Sequence, residues 1–218
     1  MARHFHKELE KLKKMILSLG AMVEERVRRA GTAVTEKDAA IAEEIIRSDF
    51  EIDEMEVEIE EECLKIMALH QPVAIDLRFL IAVIKINNDL ERIADEAVNI
   101  AQRIKTMVKD KPASLAFDYE PMTAEVEKML KLSLDALVNM DVDMAFKVVT
   151  MDDEVDDIHR RVYQLIREEI KKYPDQVAFF INFYLISRHL ERIADHATNI
   201  SEEVIYLIEG EIVRHAAY

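Results

Sequence analysis

Residues 90–100 of this 218-residue chain read LERIADEAVNI, and residues 190–200 read LERIADHATNI. The two stretches differ only at positions 96/196 and 98/198. Their apolar residues alternate spacings of three and four, which is typical of an amphipathic helix. A helical motif that recurs 100 residues further along the chain indicates an internal duplication. The sequence therefore predicts two copies of one helical unit.

The apolar seam of each motif continues on both sides of it. In the first copy the seam consists of Ile86, Leu90, Ile93, Ala97, Ile100 and Ile104, and in the second of Ile186, Leu190, Ile193, Ala197, Ile200 and Val204. Earlier in each copy the matching positions lie 103 residues apart rather than 100. These pairs are Glu24/Glu127, Asp38/Asp141, Asp49/Asp152 and Asp53/Asp156. One gap of three residues between the second and third helices of a unit explains the change of offset.

The chain contains only three glycines and four prolines, so it has few of the residues that turns require. We expect six long helices, over about 6–30, 35–69, 72–108, 122–139, 143–173 and from the break at 173–175 to about 209. Long helices joined by short connections pack antiparallel. The predicted fold is all-α, a tandem duplication of an antiparallel three-helix bundle, with domains at 1–111 and 112–218.

Three local signals set the predicted helix ends. Gly31 is expected to end the first helix, and the stretch from Thr35 to Asp38 has the form of a capping box that starts the second. Pro72 suits the first turn of the third helix.

The composition restricts the class of function. A formal net charge of -15 opposes binding to nucleic acid. The single cysteine, Cys63, allows no internal disulfide. The N-terminus does not have the pattern of a signal peptide, and the most apolar run, 177–186, is about half the length of a membrane span. We expect a cytoplasmic protein without direct membrane insertion.

Each unit contains two acid-x-x-x-Asp motifs. Residues four apart share one face of a helix, so four carboxylates of a unit converge if its second and third helices are neighbours. Oxygen ligands of this kind suit Mg, Mn, Ca or oxidised Fe. The candidate metal ligands are Asp49, Asp53, Glu91, Asp95, Asp152, Asp156, Glu191 and Asp195, with the amides of Asn99 and Asn199 as additions. His159 and His196 are possible nitrogen ligands, which would move the preference toward Fe or Zn.

A solvated acidic face is the alternative interpretation. Glu91 and Asp95 point away from the apolar seam, and Arg92 can offset their charge. Against this alternative, the outward Glu, Arg, Asp and Asn of the motif are identical in both copies, whereas other positions have changed. Converging carboxylates also repel one another by roughly 1–4 kcal/mol per close pair without a cation. No Glu-x-x-His pair of the ferritin-like di-iron proteins is present.

Residues 71–78, QPVAIDLR, followed by LERIAD at 90–95 and by Asn99 and Ile100, resemble the PhoU family of phosphate-specific transport accessory and regulatory proteins. The resemblance covers nearly the whole chain and includes both units. One departure is that the second unit has YPDQ at 173–176 where the first has the QP…DLR stretch.

The resemblance implies a negative regulator of phosphate uptake and of phosphate-starvation signalling, without enzymatic activity. Its implied partners are the ATPase subunit of a phosphate ABC transporter, a sensor histidine kinase and a second copy of the chain. It also implies metal ions, with Fe or Zn first and Mg or Mn as alternatives, on the outward acid-x-x-x-Asp motifs. The competing hypotheses are a carboxylate-bridged metalloenzyme and a plain helical scaffold without metal.

Overall fold

The computed structural model describes residues 2–109 and 117–211, and within these ranges it contains helices and no strands. The helices are α1 (Ala2–Glu36), α2 (Ala39–Arg47), α3 (Phe50–His70), α4 (Ala74–Met107), α5 (Glu120–Asn139), α6 (Val142–Lys172) and α7 (Val177–Glu209), with one 3-10 turn at Pro174–Gln176. The all-α prediction is confirmed. The predicted division at 111/112 lies outside the described residues.

The helices form two bundles that share one continuous core. In the first bundle α4 packs against α1, α2 and α3, and in the second α7 packs against α5 and α6. The two bundles meet along α4 and α7 and, less extensively, along α1 and α5. Every residue of the two predicted seams is buried, which confirms that the seams face the core.

The predicted second helix is divided into α2 and α3 at Ser48 and Asp49. Ile52 donates its N–H to the Asp49 carbonyl at 3.0 Å, a tighter bond than the regular helical one to Ser48. The guanidinium of Arg26, on α1, donates instead to the Ser48 carbonyl at 2.5 Å and to Asp49 Oδ1 at 2.7 Å. The equivalent stretch of the second bundle runs unbroken through α6, where the repeat position of Arg26 is Met129.

The end predicted for α1 and the capping box predicted at Thr35 are wrong. The helix continues to Glu36, and the reversal follows at Lys37, whose φ is 55°. Asp38 then caps α2 by accepting hydrogen bonds from the N–H groups of residues 40 and 41. Gly31 lies inside the helix, where a Cβ would come within 2.5 Å of a Glu127 carboxylate oxygen on α5. It serves close helix packing rather than helix termination.

The other ends agree with the sequence to within a few residues. Asp141 caps α6 by accepting from the Met144 N–H at 2.9 Å, as its repeat partner Asp38 does for α2. Gly210 ends α7 with a φ of 78°, a conformation that favours glycine. The start of α4 is later than predicted, at Ala74, because Gln71 adopts a left-handed conformation before Pro72.

Candidate functional site

The first acidic cluster consists of Asp49, Asp53, Glu91 and Asp95, at the α2–α3 break and on the outward face of α4. The charges of Asp53 and Asp95 act on Asp49, and that of Asp53 also acts on Glu91 and Asp95. Partial burial, reinforced by these neighbouring charges, raises the pKa values of Asp49, Glu91 and Asp95. The four predicted carboxylates of the first unit therefore lie close enough to oppose one another's ionisation.

Arginines offset part of this charge. Arg26 is buried and pairs with Asp49. Arg92, which is more exposed, lies 3.4 Å from Glu91 Oε2 and 3.9 Å from Asp95 Oδ2. The ion pair between Asp49 and the buried Arg26 is shielded from solvent on the arginine side. The ion pairs of Arg92 are exposed to solvent and are therefore weak.

The second acidic cluster consists of Asp152 and Asp156 on α6 and of Glu191 and Asp195 on α7. Burial, followed by the charges of Asp195 and Asp156, raises the pKa of Asp152 to about 7. Burial is also the largest cause of the raised pKa values of Glu191 and Asp195. Ionising the carboxyl groups therefore costs more free energy in the second cluster than in the first.

The two clusters differ in which of their carboxylates has an arginine beside it, and this difference follows from the residues at two positions of the repeat. Asp49 has the Arg26 guanidinium beside it, whereas the repeat position of Arg26 in the second bundle is Met129, which carries no charge. The second cluster instead has Arg188, which donates to Glu191 at 2.6 Å and leaves Asp152 without an ion pair. Asp152 thus lacks the compensating charge that Arg26 supplies to its repeat partner Asp49.

Three carboxylate oxygens of the clusters are buried without a hydrogen-bond partner: Glu91 Oε2, Asp152 Oδ1 and Glu191 Oε2. Buried acceptors are normally satisfied, so Asp152 Oδ1 and Glu191 Oε2 are acceptors open to a positive ligand, whereas Glu91 Oε2 already lies 3.4 Å from Arg92. Among residues 2–109 and 117–211, however, no three His, Cys, Asp or Glu side chains are arranged to hold a metal ion as they stand. A cation would have to draw these side chains together.

The predicted amide and imidazole ligands have hydrogen-bond partners outside the two sets of four acids. Asn199 donates to Asp89 Oδ1 at 3.3 Å, and His196 Nδ1 lies 2.9 Å from the same oxygen. Asn99 hydrogen-bonds to Glu96. His159 Nδ1 lies 2.9 Å from the Ser187 hydroxyl, and the charge of Asp156 also acts on this imidazole. The structure thus gathers the eight acids into two groups and engages the two asparagines in the contact between α4 and α7.

This contact contains a buried ionic network that the sequence analysis missed. Glu96 Oε2 is hydrogen-bonded to His189 Nδ1 at 2.6 Å, and Glu96 Oε1 forms an ion pair with the Arg192 guanidinium at 2.6 Å. Glu96 pairs with His189 just as Asp89 pairs with His196, so the two contacts are related by the internal repeat. The sequence does contain a signal for these two pairs, because positions 89/189 and 96/196 both have an acid in the first copy and a histidine in the second.

The network keeps Glu96 ionised. Burial alone would raise the pKa of Glu96, but the hydrogen bond from His189 and the charge of Arg192 outweigh burial and lower it. Lys85 and the buried Glu203 form a further pair, at 3.2 Å, across the same contact. The two bundles are therefore joined by buried charges as well as by apolar packing.

The raised pKa of Asp152 predicts a pH-dependent stability. A carboxyl whose pKa is higher in the folded than in the unfolded state favours folding while it is protonated, and this contribution is lost as the pH rises through about 7. In protein treated with chelator, Asp152→Asn should raise the free energy of unfolding by about 1–2 kcal/mol near pH 8, allowing for partial solvent exposure. The variant and the wild type should converge near pH 4, as measured by urea unfolding at each pH.

Glu154→Gln is the matched control, because Glu154 is also an exposed acid of α6 and is not among the charges that act on Asp152. It should change the unfolding free energy by less than about 0.5 kcal/mol at either pH. Equal stability of Asp152→Asn and wild type at both pH values would contradict the proposed repulsion in the second cluster.

Fold and site together define a class of protein: a duplicated three-helix bundle with an outward acidic cluster on each half and a charged joint between the halves. The model of the PhoU domain matches residues 16–104 and 120–204, one match for each bundle. The chain belongs to the PhoU family. The resemblance noted from the 71–78 and 90–100 motifs is thereby confirmed.

Relatives match over almost the full chain. The phosphate-specific transport system accessory protein PhoU homolog of Pseudomonas aeruginosa is 36% identical over 99% of this chain and 89% of its own length. The homologs of Clostridium acetobutylicum and Aquifex aeolicus are also 36% identical, each over 96% of this chain and over 96% and 95% of their own lengths.

Solved structures agree with the fold. The crystal structure of PhoU from Pseudomonas aeruginosa superposes with a TM-score of 0.91 at 35% identity, covering 95% of this chain and 100% of that one. The phosphate transport system regulatory protein PhoU from Streptococcus pneumoniae gives a TM-score of 0.84 at 32% identity, covering 96% and 99%. Within the described residues, no helix has an apolar stretch that would cross a bilayer.

Proposed function

We propose that this chain is an accessory protein of a phosphate-specific transport system and restrains phosphate uptake and phosphate-starvation signalling. It acts in the cytoplasm as a non-enzymatic adaptor between the ATPase subunit of a phosphate ABC transporter and a sensor histidine kinase. The observation that carries this proposal is the match, over nearly the full length of both partners, to relatives described as accessory proteins of phosphate-specific transport.

The charge distribution supports an adaptor. Both acidic clusters lie on outward faces of the bundles, and the chain carries a net charge of -15. Such faces complement basic partner surfaces and speed the encounter with them. The two bundles present different local charges, since Arg26 and Met129 occupy the same repeat position. This difference would allow each bundle to engage a different partner.

The adaptor is tested by binding of purified components. The chain is immobilised and exposed separately to the ATPase subunit and to the cytoplasmic part of the kinase, with and without chelator. We expect both to be retained, more weakly at high salt because charged surfaces contribute. Retention of neither partner under any of these conditions would contradict the adaptor role. Sedimentation of the free chain tests the homodimer that we also propose.

We further propose that the two acidic clusters bind metal ions, Fe or Zn in the first instance and Mg or Mn as alternatives. The unpartnered buried oxygens of Asp152 and Glu191 support this proposal. An oxygen-only donor set suits oxidised Fe, Mn or Mg better than Zn. The second cluster should bind more tightly, because a cation there relieves the repulsion at Asp152, whereas Arg26 already serves Asp49.

Elemental analysis of protein purified without chelator tests the metal proposal and identifies the metal. We expect bound metal in the wild type and a loss of roughly half of it or more in Asp195→Asn, which removes one charged ligand of the second cluster. Asp157→Asn is the control, because Asp157 is an exposed acid of α6 that pairs with Arg160, and it should retain the full amount.

The same measurement separates the competing hypotheses. Absence of metal from the wild type would favour the plain scaffold. Turnover of dioxygen or of a phosphate ester by metal-loaded protein, lost in Asp95→Asn, would favour a carboxylate-bridged metalloenzyme.

A further inference from the structure

The outer face of α3 carries a line of exposed apolar side chains. Phe50, Val57 and Leu64 are 56%, 51% and 53% exposed. They are seven residues apart, so they lie on one line along the helix, roughly 10 Å from each to the next. We call these three residues the α3 stripe. Three large apolar groups at this spacing match the seam of a second helix.

Acidic side chains surround the α3 stripe. The exposed acids of α3 are Glu51, Asp53, Glu54, Glu58, Glu60 and Glu61, and Lys65 is its exposed base. Among the described residues, none of these six acids forms a salt bridge, while Lys65 pairs with Glu62 at 3.2 Å. The apolar line therefore runs through a strongly negative surface whose six acids form no salt bridge within the described part of the chain.

The second bundle shows that the fold does not require this stripe. The repeat positions of Phe50, Val57 and Leu64 are occupied by Asp153, Arg160 and Arg167, which are also exposed. The same helix position in the same bundle geometry is thus apolar in one copy and charged in the other. A role outside the packing of the bundle accounts for apolar residues at these positions of the first copy.

We propose that the α3 stripe docks a basic amphipathic helix of a partner protein. Apolar residues of that helix cover the stripe, and flanking Lys and Arg side chains pair with the exposed glutamates of α3, while Asp53 remains with the first acidic cluster. Docking of a second copy through the same stripe would oppose acid to acid, and the negative surface repels anionic lipid and nucleic acid. The inference rests on the adaptor function proposed above and names the surface through which the first bundle would act.

The test uses two synthetic helical peptides of about 21 residues, roughly 30 Å long. Both carry the same number of lysines, but one has a leucine seam and the other has glutamine at the seam positions. Binding to the full chain is measured by fluorescence anisotropy. We expect the leucine peptide to bind at least about tenfold more tightly, because only this peptide buries apolar surface on the stripe.

Two triple variants locate the binding surface without changing the net charge. Phe50→Gln, Val57→Gln and Leu64→Gln together should weaken binding of the leucine peptide about 10–100-fold. The control replaces Val108, Val138 and Ile181, which are similarly exposed at 47%, 54% and 47%, with glutamine. This control should alter binding less than about twofold. Circular dichroism verifies that both variants are folded.

The proposal is overturned if the two peptides bind equally, if the stripe variant binds as tightly as wild type, or if sedimentation shows a dimer that the stripe variant loses. The last result would assign the stripe to a second copy of the chain. Peptide binding through the stripe without retention of the ATPase or the kinase would leave the docking surface intact and contradict the proposed adaptor partners. Retention of those partners by the stripe variant would contradict the docking surface alone.

Discussion

Replacement of Glu96 by alanine should lower the free energy of unfolding by about 2–3 kcal/mol, because the buried acceptor is lost but the Arg192 partner is partly exposed. Glu96 is only 2% exposed, is hydrogen-bonded to His189 and forms an ion pair with Arg192. Its removal leaves the largely buried His189 ring without its acceptor and the partly exposed Arg192 guanidinium without its ion pair. His189 Nε2 is already buried without a partner, so the ring has no alternative hydrogen bond. Denaturant unfolding near pH 7 measures the loss.

A control variant and a double variant show whether the loss of stability comes from the contact between Glu96 and its partners. Glu54→Ala removes an exposed carboxylate and should cost less than about 0.5 kcal/mol. The double variant Glu96→Ala with His189→Ala should cost less than the sum of the two single variants, because the unpaired partner is also removed. A loss below about 1 kcal/mol for Glu96→Ala would mean that the charged joint contributes little to holding the bundles together.

Arg26→Met should cost about 2–3 kcal/mol in metal-free protein, because hydrogen bonds to a charged group are lost. Arg26 is 6% exposed and holds both the Ser48 carbonyl and the Asp49 carboxylate, so its loss loosens the α2–α3 break. Methionine is the residue at the equivalent position of the second bundle, so it fits the site by volume. The unfolding free energy and the hydrogen exchange of the Glu51 and Ile52 amides measure the effect.

The variant should also make the first cluster more like the second. Without the guanidinium, Asp49 loses its compensating charge, and its pKa rises further above the ordinary value. A cation should then restore more stability to Arg26→Met than to the wild type. Arg29→Met is the control, since the pair of Arg29 with Glu44 is more exposed and should cost less than about 1 kcal/mol. Equal losses for the two variants would contradict the special role of Arg26.

The fold could be predicted because its determinants are local and repeated. The alternating seam from Ile86 to Ile104 requires a helix with one buried side, and its second copy from Ile186 to Val204 predicts the duplication. The clustering of the acids could be predicted for the same reason, since spacing along α4 and α7 sets which side chains share a face.

The remaining features depend on residues that are distant in sequence. The break at Ser48 occurs because Arg26, 22 residues earlier, captures a carbonyl oxygen, and neither glycine nor proline marks it. Gly31 looks like a helix end in the sequence, yet it lies inside α1 where α5 of the other bundle packs closely, with Thr123 Cβ 3.3 Å from where a Cβ would stand. The unequal charge compensation at Asp49 and Asp152 likewise depends on a side chain from a different helix.

The charged joint between α4 and α7 also determines which halves can assemble. The first bundle contributes acids at positions 89 and 96, and the second contributes histidines at 189 and 196. Two first bundles mated in this geometry would set Asp89 against Glu96 twice, and two second bundles would oppose histidine to histidine. Only unlike halves are compatible. If the two halves were produced as separate polypeptides, a first bundle would pair with a second bundle rather than with another first bundle. If two chains exchanged halves, the Glu96–His189 and Asp89–His196 pairs would be preserved.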